Sequence, residues 1–281
     1  MTDAAKIRVA CAQMRSGVDR ALNVADARDL VREASTKGAV FVATPEMTTA
    51  VDRDPDRLRA GLPLGEALPE IEVFAALADE LSIWLLIGSM PIRLDDVRLA
   101  NRAFLFAPDG GIAARYDKIH MFDVSLPDGE TWRESSVYAP GGEAVLAQTA
   151  LGATGLTICY DLRFPALYRR LAQAGAKALC VPAAFTRQTG EAHWSTLLRA
   201  RAIENGAFVV APAQGGRHED GRETYGHSMI VDPWGRVLAE LDHDEPGVLI
   251  ADLELGAAEE ARRRIPSLSL DRADEAVILR A

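Results

Sequence analysis

Apolar positions along the chain fall into short uniform runs alternating with stretches of helical period. "KIRVACAQM" opens as a strand. From about Asp19 to Lys37, Val24, Ala27, Val31 and Ala34 recur on one helical face, and Gly38 is a natural stop. "AVFVATPE" is a buried strand that ends at Glu46. A helix runs from about Pro69 to Leu81, and "IWLLIGSM" is the next strand. "NRAFLF" and "GIAARYDK" flank the turn signal "APDGG" as a hairpin.

The same order then returns. "EAVLAQT" pairs with "GLTICYD", which places Cys159 at a strand end. "PALYRRLAQAG" is a helix with Pro165 at its first position. "KALCVPAAF" is a strand, "EAHWSTLLRARAIENG" a helix and "AFVVAPAQGG" a strand. "GHSMIVDPWGRVLAEL" is a hairpin about "DPWG". A β-α-β-α-β unit followed by a hairpin therefore occurs twice, a weak internal repeat. Strands this uniformly apolar belong to sheets buried on both faces. Two packed sheets with helices outside satisfy the pattern, so the expected fold class is layered α/β. No linker divides the chain, which is read as one domain, 1–281, with a core of about 6–254. The tail from 255 to 281 is charged and helix-prone, and it could pack on a neighbouring subunit.

Composition narrows the function. Net charge is −10 over 281 residues, and no basic stripe is present, so nucleic acid is not an expected partner. The N-terminus carries no signal-peptide pattern and no apolar run is long enough to span a bilayer, so a cytoplasmic protein without membrane contact is expected. Three cysteines are too few for a disulfide framework, and no ligand spacing suggests a metal site.

Cys159 lies just before a helix, where a sharp turn would expose its thiol and aim the Tyr160 N–H into the same space. Taken alone it could equally be a buried core thiol, the reading given to Cys11 and Cys180. Glu46 also closes an apolar strand, where ligands bind in α/β sheets. Burial is expected to raise its pKa and make it a proton acceptor. By itself it could equally be a loop acid. Lys118 follows its strand and precedes "IHMFDVSLPDGETWRESS", a long segment that resembles the lining of a site more than a surface connector.

Together, "TPE", "RYDKIHMFD" and "CYDLRFP" resemble the nitrilase superfamily of carbon–nitrogen hydrolases, and the similarity runs from "IRVACAQM" to "GVLIADLEL". The segment from "AFTRQTGEAHW" onward is similar to the Nit branch, above all to amidases of deaminated glutathione. The resemblance implies a four-layer α-β-β-α sandwich, a homodimer or higher homo-oligomer, a small-molecule amide substrate, and neither metal nor organic cofactor. It implies Glu46 as general base, Lys118 as oxyanion stabiliser, Cys159 as nucleophile and Glu134 as a second glutamate that positions the lysine. Arg163, Thr186, Thr189 and His193 are candidate contacts for an anionic substrate. Arg163 could equally serve a structural ion pair and His193 a packed hydrogen bond, and Trp194 is read as core. The competing functions are an ω-amidase acting on α-ketoglutaramate, acyl transfer to an amine, and a non-catalytic thiol-bearing binding or redox protein.

Overall fold

The computed structural model describes residues 6–126, 129 and 131–272. The first half is β1 (Lys6–Gln13), α1 (Arg20–Thr36), β2 (Phe41–Ala43), α2 (Pro55–Ala60), α3 (Pro69–Leu81), β3 (Trp84–Arg93), β4 (Leu99–Phe106) and β5 (Ile112–Asp117). A small ribbon, β6 (Asp123–Ser125) with β7 (Thr131–Arg133), leads to the second half. There follow β8 (Val145–Thr149), β9 (Gly152–Leu156), α4 (Pro165–Gln173), β10 (Ala178–Cys180), α5 (Arg187–Asn205) and β11 (Phe208–Ala211). A second ribbon, β12 (Gly215–Arg217) with β13 (Glu223–Tyr225), precedes β14 (Met229–Val231) and β15 (Val237–Glu240). The chain returns to the first sheet as β16 (Gly247–Glu254) and ends its described part with α6 (Gly256–Arg264).

Two six-stranded mixed sheets result, in the orders β16-β1-β2-β3-β4-β5 and β15-β14-β11-β10-β9-β8. Each holds three parallel strands, a two-strand antiparallel extension on one side and a single antiparallel edge on the other. The repeat read in the sequence is thus present in the topology. In strand order the halves differ in that the edge strand precedes the unit in the second half (β8) and follows it in the first (β16).

Side chains in the first sheet alternate between two cores. Val9, Cys11, Phe41, Ala43 and Leu86 join the interior shared with the second sheet. Ala10, Val42, Leu85 and Ile87 instead pack beneath α1 and α3. Period-two alternation with both faces buried explains why these strands read as continuous apolar runs. On α1 the expected face is buried, Asp19 caps the first turn by accepting from the amides of Ala21 and Leu22, and the helix stops before Gly38.

The central strands are shorter than their apolar runs. The strands β2, β10 and β11 stop at Ala43, Cys180 and Ala211, just ahead of Pro45, Pro182 and Pro212. Proline lacks the N–H that would continue a ladder, so each run leaves its sheet and becomes a loop over the strand's carboxyl end. The apolar run predicts that β9 continues through Cys159. It ends at Leu156 instead, and Cys159 opens a 3-10 turn over Cys159–Arg163. The tail continues from the first sheet in its described part. In α6, Ala258 and Ala261 are buried, and Arg262 donates to the carbonyls of Asn205 and Ala176, so this helix packs on its own chain. Residues 273–281 lie outside the described residues. Among the described residues no helix is long and apolar enough to cross a membrane.

Candidate active site

Strand direction decides which residues meet. The strands β2 and β3 are parallel, β4 runs against β3, and β5 runs against β4. Hence β5 ends on the same side as β2, and Lys118, the residue after β5, rises beside Glu46. Cys159 reaches the same place from the end of β9 in the facing sheet. Glu134 arrives on the short turn that follows β7.

The four side chains form one buried array. Lys118 Nζ donates to Glu46 Oε1 at 2.9 Å and to both oxygens of Glu134 at 2.9 and 2.8 Å. Asn101 Nδ2 bridges Glu46 Oε1 at 2.8 Å and Glu134 Oε1 at 3.3 Å. The second Glu46 oxygen accepts from the Ala184 amide at 2.9 Å. The Phe122 amide donates to Glu134 Oε2 at 2.6 Å. The Cys159 thiol is hydrogen-bonded to Glu46 and lies beside the Ala184 amide. Lys118 is only 2% exposed and Glu46 only 5%, so these charges interact with little solvent screening.

Burial sets the protonation states only in part. It pushes the Glu46 carboxyl up, but the adjacent Lys118 ammonium and hydrogen bonds from Lys118, Cys159 and Asn101 bring it below the ordinary glutamate value. The expectation of a raised Glu46 is therefore corrected, because a buried cation faces the buried acid. Burial alone would lower Lys118, yet Glu134 and then Glu46 hold it well above the usual lysine value. Burial, followed by the charge of Glu46, drives the Cys159 thiol well above its ordinary value against the opposing pull of Lys118. The resting array is carboxylate, ammonium and neutral thiol. Cys11 and Cys180 are fully buried, burial pushing Cys180 to about 12, and both are core as expected.

The backbone beneath the thiol is held from several directions. Cys159 has φ +48° and Met47, next to Glu46, has φ +55°, both in the left-handed region that costs a side-chain-bearing residue. The Cys159 amide donates to the Pro182 carbonyl at 2.9 Å. Asp161, wholly buried, accepts from the Ile158 amide at 2.9 Å, the Tyr116 hydroxyl at 2.7 Å and the His120 amide at 3.1 Å. Arg201 donates twice to the Leu162 carbonyl, at 3.0 and 2.7 Å. Gly88 on β3 lets the two loops approach. A Cβ there would stand 2.1 Å from the Thr44 carbonyl oxygen, 2.5 Å from that of Pro45 and 2.4 Å from the Pro182 side chain.

A cavity of about 390 Å³ opens over the thiol, within the range for small-molecule sites. Glu46, Lys118, Glu134, Cys159 and Tyr160 line it, as do Thr186 and Thr189, whose hydroxyls lie 2.8 Å apart. Arg163 and His193 are not among its lining residues. They meet each other at 3.3 Å, with the Arg163 guanidinium 5.3 Å from the Phe185 ring centroid and 5.9 Å from that of Tyr160. Trp194 is core as expected, its Nε1 donating to the His227 carbonyl. Sequence reasoning missed Asn101, Gly88 and the wall formed by Arg53, Trp132 and Arg222. A polar Asn in the first half of β4, two residues before the apolar "AFLF", was the available signal for the first.

Known proteins share this arrangement of chain. The chain is 39% identical to the deaminated glutathione amidase of Synechocystis sp. over 263 residues, 92% of this chain and 96% of that one. It superposes on the NitFhit protein of C. elegans with a TM-score of 0.87 at 34% identity, covering 96% of this chain and 66% of the worm protein. A glutamate-to-glutamine mutant of the amidase from Nesterenkonia sp. AN1 superposes at 0.79 with 26% identity, covering 93% and 95% of the two chains. That structure shows covalent addition of the acetamide moiety of fluoroacetamide at the active site cysteine. The carbon-nitrogen hydrolase model matches residues 8–263, a span that takes in both sheets and every side chain of the array. On that match and the relatives' identity over nearly its whole length, the chain belongs to the carbon–nitrogen hydrolase family.

Proposed function

We propose that this enzyme hydrolyses the amide of a small α-keto acid amide, deaminated glutathione before others, through a thioester on Cys159. The observation that carries the mechanism is the thiol held against the Glu46 carboxylate while Lys118 stands beside both. The substrate follows from the similarity to the Synechocystis amidase of that name.

With a neutral thiol and an ionised Glu46, proton transfer accompanies bond formation. Sulfur attacks the amide carbon as its proton passes to Glu46. Charge that would be unfavourable on a buried thiolate moves instead to the carbonyl oxygen, between the Lys118 ammonium and the Tyr160 amide. One well-placed donor at a developing oxyanion contributes about 3 to 4 kcal/mol. Protonated Glu46 then gives its proton to the leaving nitrogen, and the C–N bond breaks. Water, giving a proton to Glu46, attacks the thioester carbon; the C–S bond breaks and Glu46 returns that proton to sulfur, restoring the neutral thiol and the carboxylate. Glu134 and Asn101 fix the ammonium and the carboxylate in register throughout, which is the positioning role given to Glu134.

The ω-amidase reading uses the same chemistry. Deaminated glutathione and α-ketoglutaramate present the same acyl group and differ in the leaving amine, so both pass through one thioester and only acylation can tell them apart. Acyl transfer to an amine would consume that thioester too. The redox-sensor reading fits less well, because a sensor needs a thiolate of lowered pKa and Cys159 is shifted upward. Thr186 and Thr189, which line the cavity, are the hydroxyls this reading assigns to the substrate. Dimerisation and a cytoplasmic location belong to this proposal. Exposed Ile203, Trp234, Val237 and Leu238, near the end of α5 and the β14–β15 turn, support self-association.

Intact-mass measurement on mixing with deaminated glutathione is expected to show the acyl adduct in the unmodified chain and none in Cys159→Ala. An adduct of the same mass in that variant would sink the mechanism. Parallel kcat/KM values for the two amides then decide the substrate.

A further inference from the structure

One part of the cavity wall is cationic and aromatic, in a chain that carries a net charge of −10. Three separate segments build it. Trp132 comes from β7, Arg53 from the loop ahead of α2, and Arg222 from the turn of the β12–β13 ribbon. The guanidinium carbons of Arg53 and Arg222 stand 4.7 and 4.6 Å from the Trp132 ring centroid. Stacking on the ring engages the face of the Arg222 guanidinium and leaves its edge N–H groups able to donate in the plane.

Two donors on this wall are buried with no acceptor among the described residues, Arg222 Nε and Trp132 Nε1. The acid paired with Arg222 is Asp220, at 3.6 Å and beyond hydrogen-bond distance. Asp52, which lines the cavity on the side of Arg53, is engaged by Arg57, which donates to its two oxygens at 2.7 and 2.6 Å. A buried donor left without a partner is unfavourable. Two of them beside stacked guanidiniums, in the cavity that holds the thiol, suit an anionic ligand with planar acceptors.

We infer that Arg53 and Arg222, stacked on Trp132, form the subsite that binds a substrate carboxylate remote from the scissile amide. The inference rests on the amide-hydrolase reading and adds to it the residues that select for charge. α-Ketoglutaramate has one carboxylate, on the acyl side. Deaminated glutathione has that one and a second on the leaving side. The subsite binds the chemistry the two share, and kinetics distinguish which end it takes.

The test compares the unmodified enzyme, Arg222→Met and Trp132→Phe on both amides, with the rate of acrylamide addition to Cys159 as a neutral reference. Arg222→Met is expected to lower kcat/KM about tenfold or more, through KM, since a hydrogen bond to a charged group is lost. Trp132→Phe keeps a stacking ring without Nε1 and is expected to lose less, in the same direction. Loss on both amides places the acyl carboxylate at the subsite, and loss on deaminated glutathione alone places the leaving-side carboxylate there. Unchanged KM on both amides would overturn the inference. So would an equal fall in acrylamide addition, because it would mark a structural role. If the unmodified enzyme takes acrylamide on Cys159 but turns over neither amide, the substrate reading fails on its own account.

Discussion

The two halves of the sandwich share a topology and divide the chemistry. In the first, the middle parallel strand runs out through Thr44 and Pro45 into Glu46. In the second, the corresponding strand runs out through Val181 and Pro182 into Ala183 and Ala184. The first half, with the ribbon after it, supplies every charged group of the array: Glu46, Lys118 and Glu134, together with Asn101. The second half supplies the thiol and backbone groups: the Pro182 carbonyl that holds Cys159 and the Ala184 amide that holds Glu46. The comparison teaches that a repeated backbone fixes where strand ends meet, while the residues just past each strand end decide what meets there. Charge on one side and a neutral nucleophile on the other also spares the site a buried thiolate at rest.

Removing the charge from the first half is the most damaging change. Glu46→Gln keeps the shape and can still accept from Ala184, but it can take no proton from sulfur. A fall in kcat of roughly 10²- to 10⁴-fold is expected, with circular dichroism and Tm near those of the parent. Near-parent turnover would remove Glu46 as the base. The same reasoning sets the pH profile. Because the folded Glu46 lies below the ordinary glutamate value, activity is present above it and is lost only as pH falls through that lowered value. Because Cys159 lies well above its ordinary value, its thiol stays protonated through neutrality. A level kcat/KM between about pH 6 and 8 is expected, and a thiol-type break near neutrality would contradict the neutral resting state.

Disturbing the seam between the halves comes next. Gly88 stands where the Thr44–Glu46 loop, the Pro182 loop and β3 crowd together, and the obstacles to a Cβ are two carbonyl oxygens and a proline ring, none of which can swing aside. In Gly88→Ala one loop must move, and a displacement near 1 Å at a reacting centre costs about 10²-fold. Steady-state kcat beside a thermal melt checks this. Unchanged kcat would mean that the close approach is not what aligns Glu46 with Cys159.

Much of this was readable in the chain. The period-two and helical patterns placed both β-α-β-α-β units, and α1 matches its expected face and ends because Asp19 and Gly38 are local signals. The motifs around Glu46, Lys118, Cys159 and Glu134 brought all four to one cavity. What stayed hidden depends on contacts between distant segments. The shift of Glu46 arises from a lysine 72 positions away. Asn101 and Gly88 look like ordinary strand residues until the facing loops are in place. Trp132, Arg53 and Arg222 come from three loops whose meeting follows no period. Arg163 drew notice by its place in "CYDLRFP", but the turn that exposes Cys159 carries it to the flank.

Arg163 therefore gives the smallest effect and separates position in sequence from position in space. Its guanidinium lies within cation–π range of Phe185 and Tyr160, two residues that line the cavity, and close to His193, itself outside the lining. Such partly exposed contacts contribute about 0.5–1 kcal/mol each. Arg163→Ala should lower Tm slightly and change kcat/KM on either amide by no more than about threefold, with KM unmoved. His193→Ala should do less, since the shared contact is long and Arg163 keeps its two rings. A tenfold rise in KM for Arg163→Ala, specific to the charged amides, would return this arginine to the substrate site. It would also give the second half another charge for recognition beside Arg222, while the division of chemistry between the halves would still hold for the reacting groups.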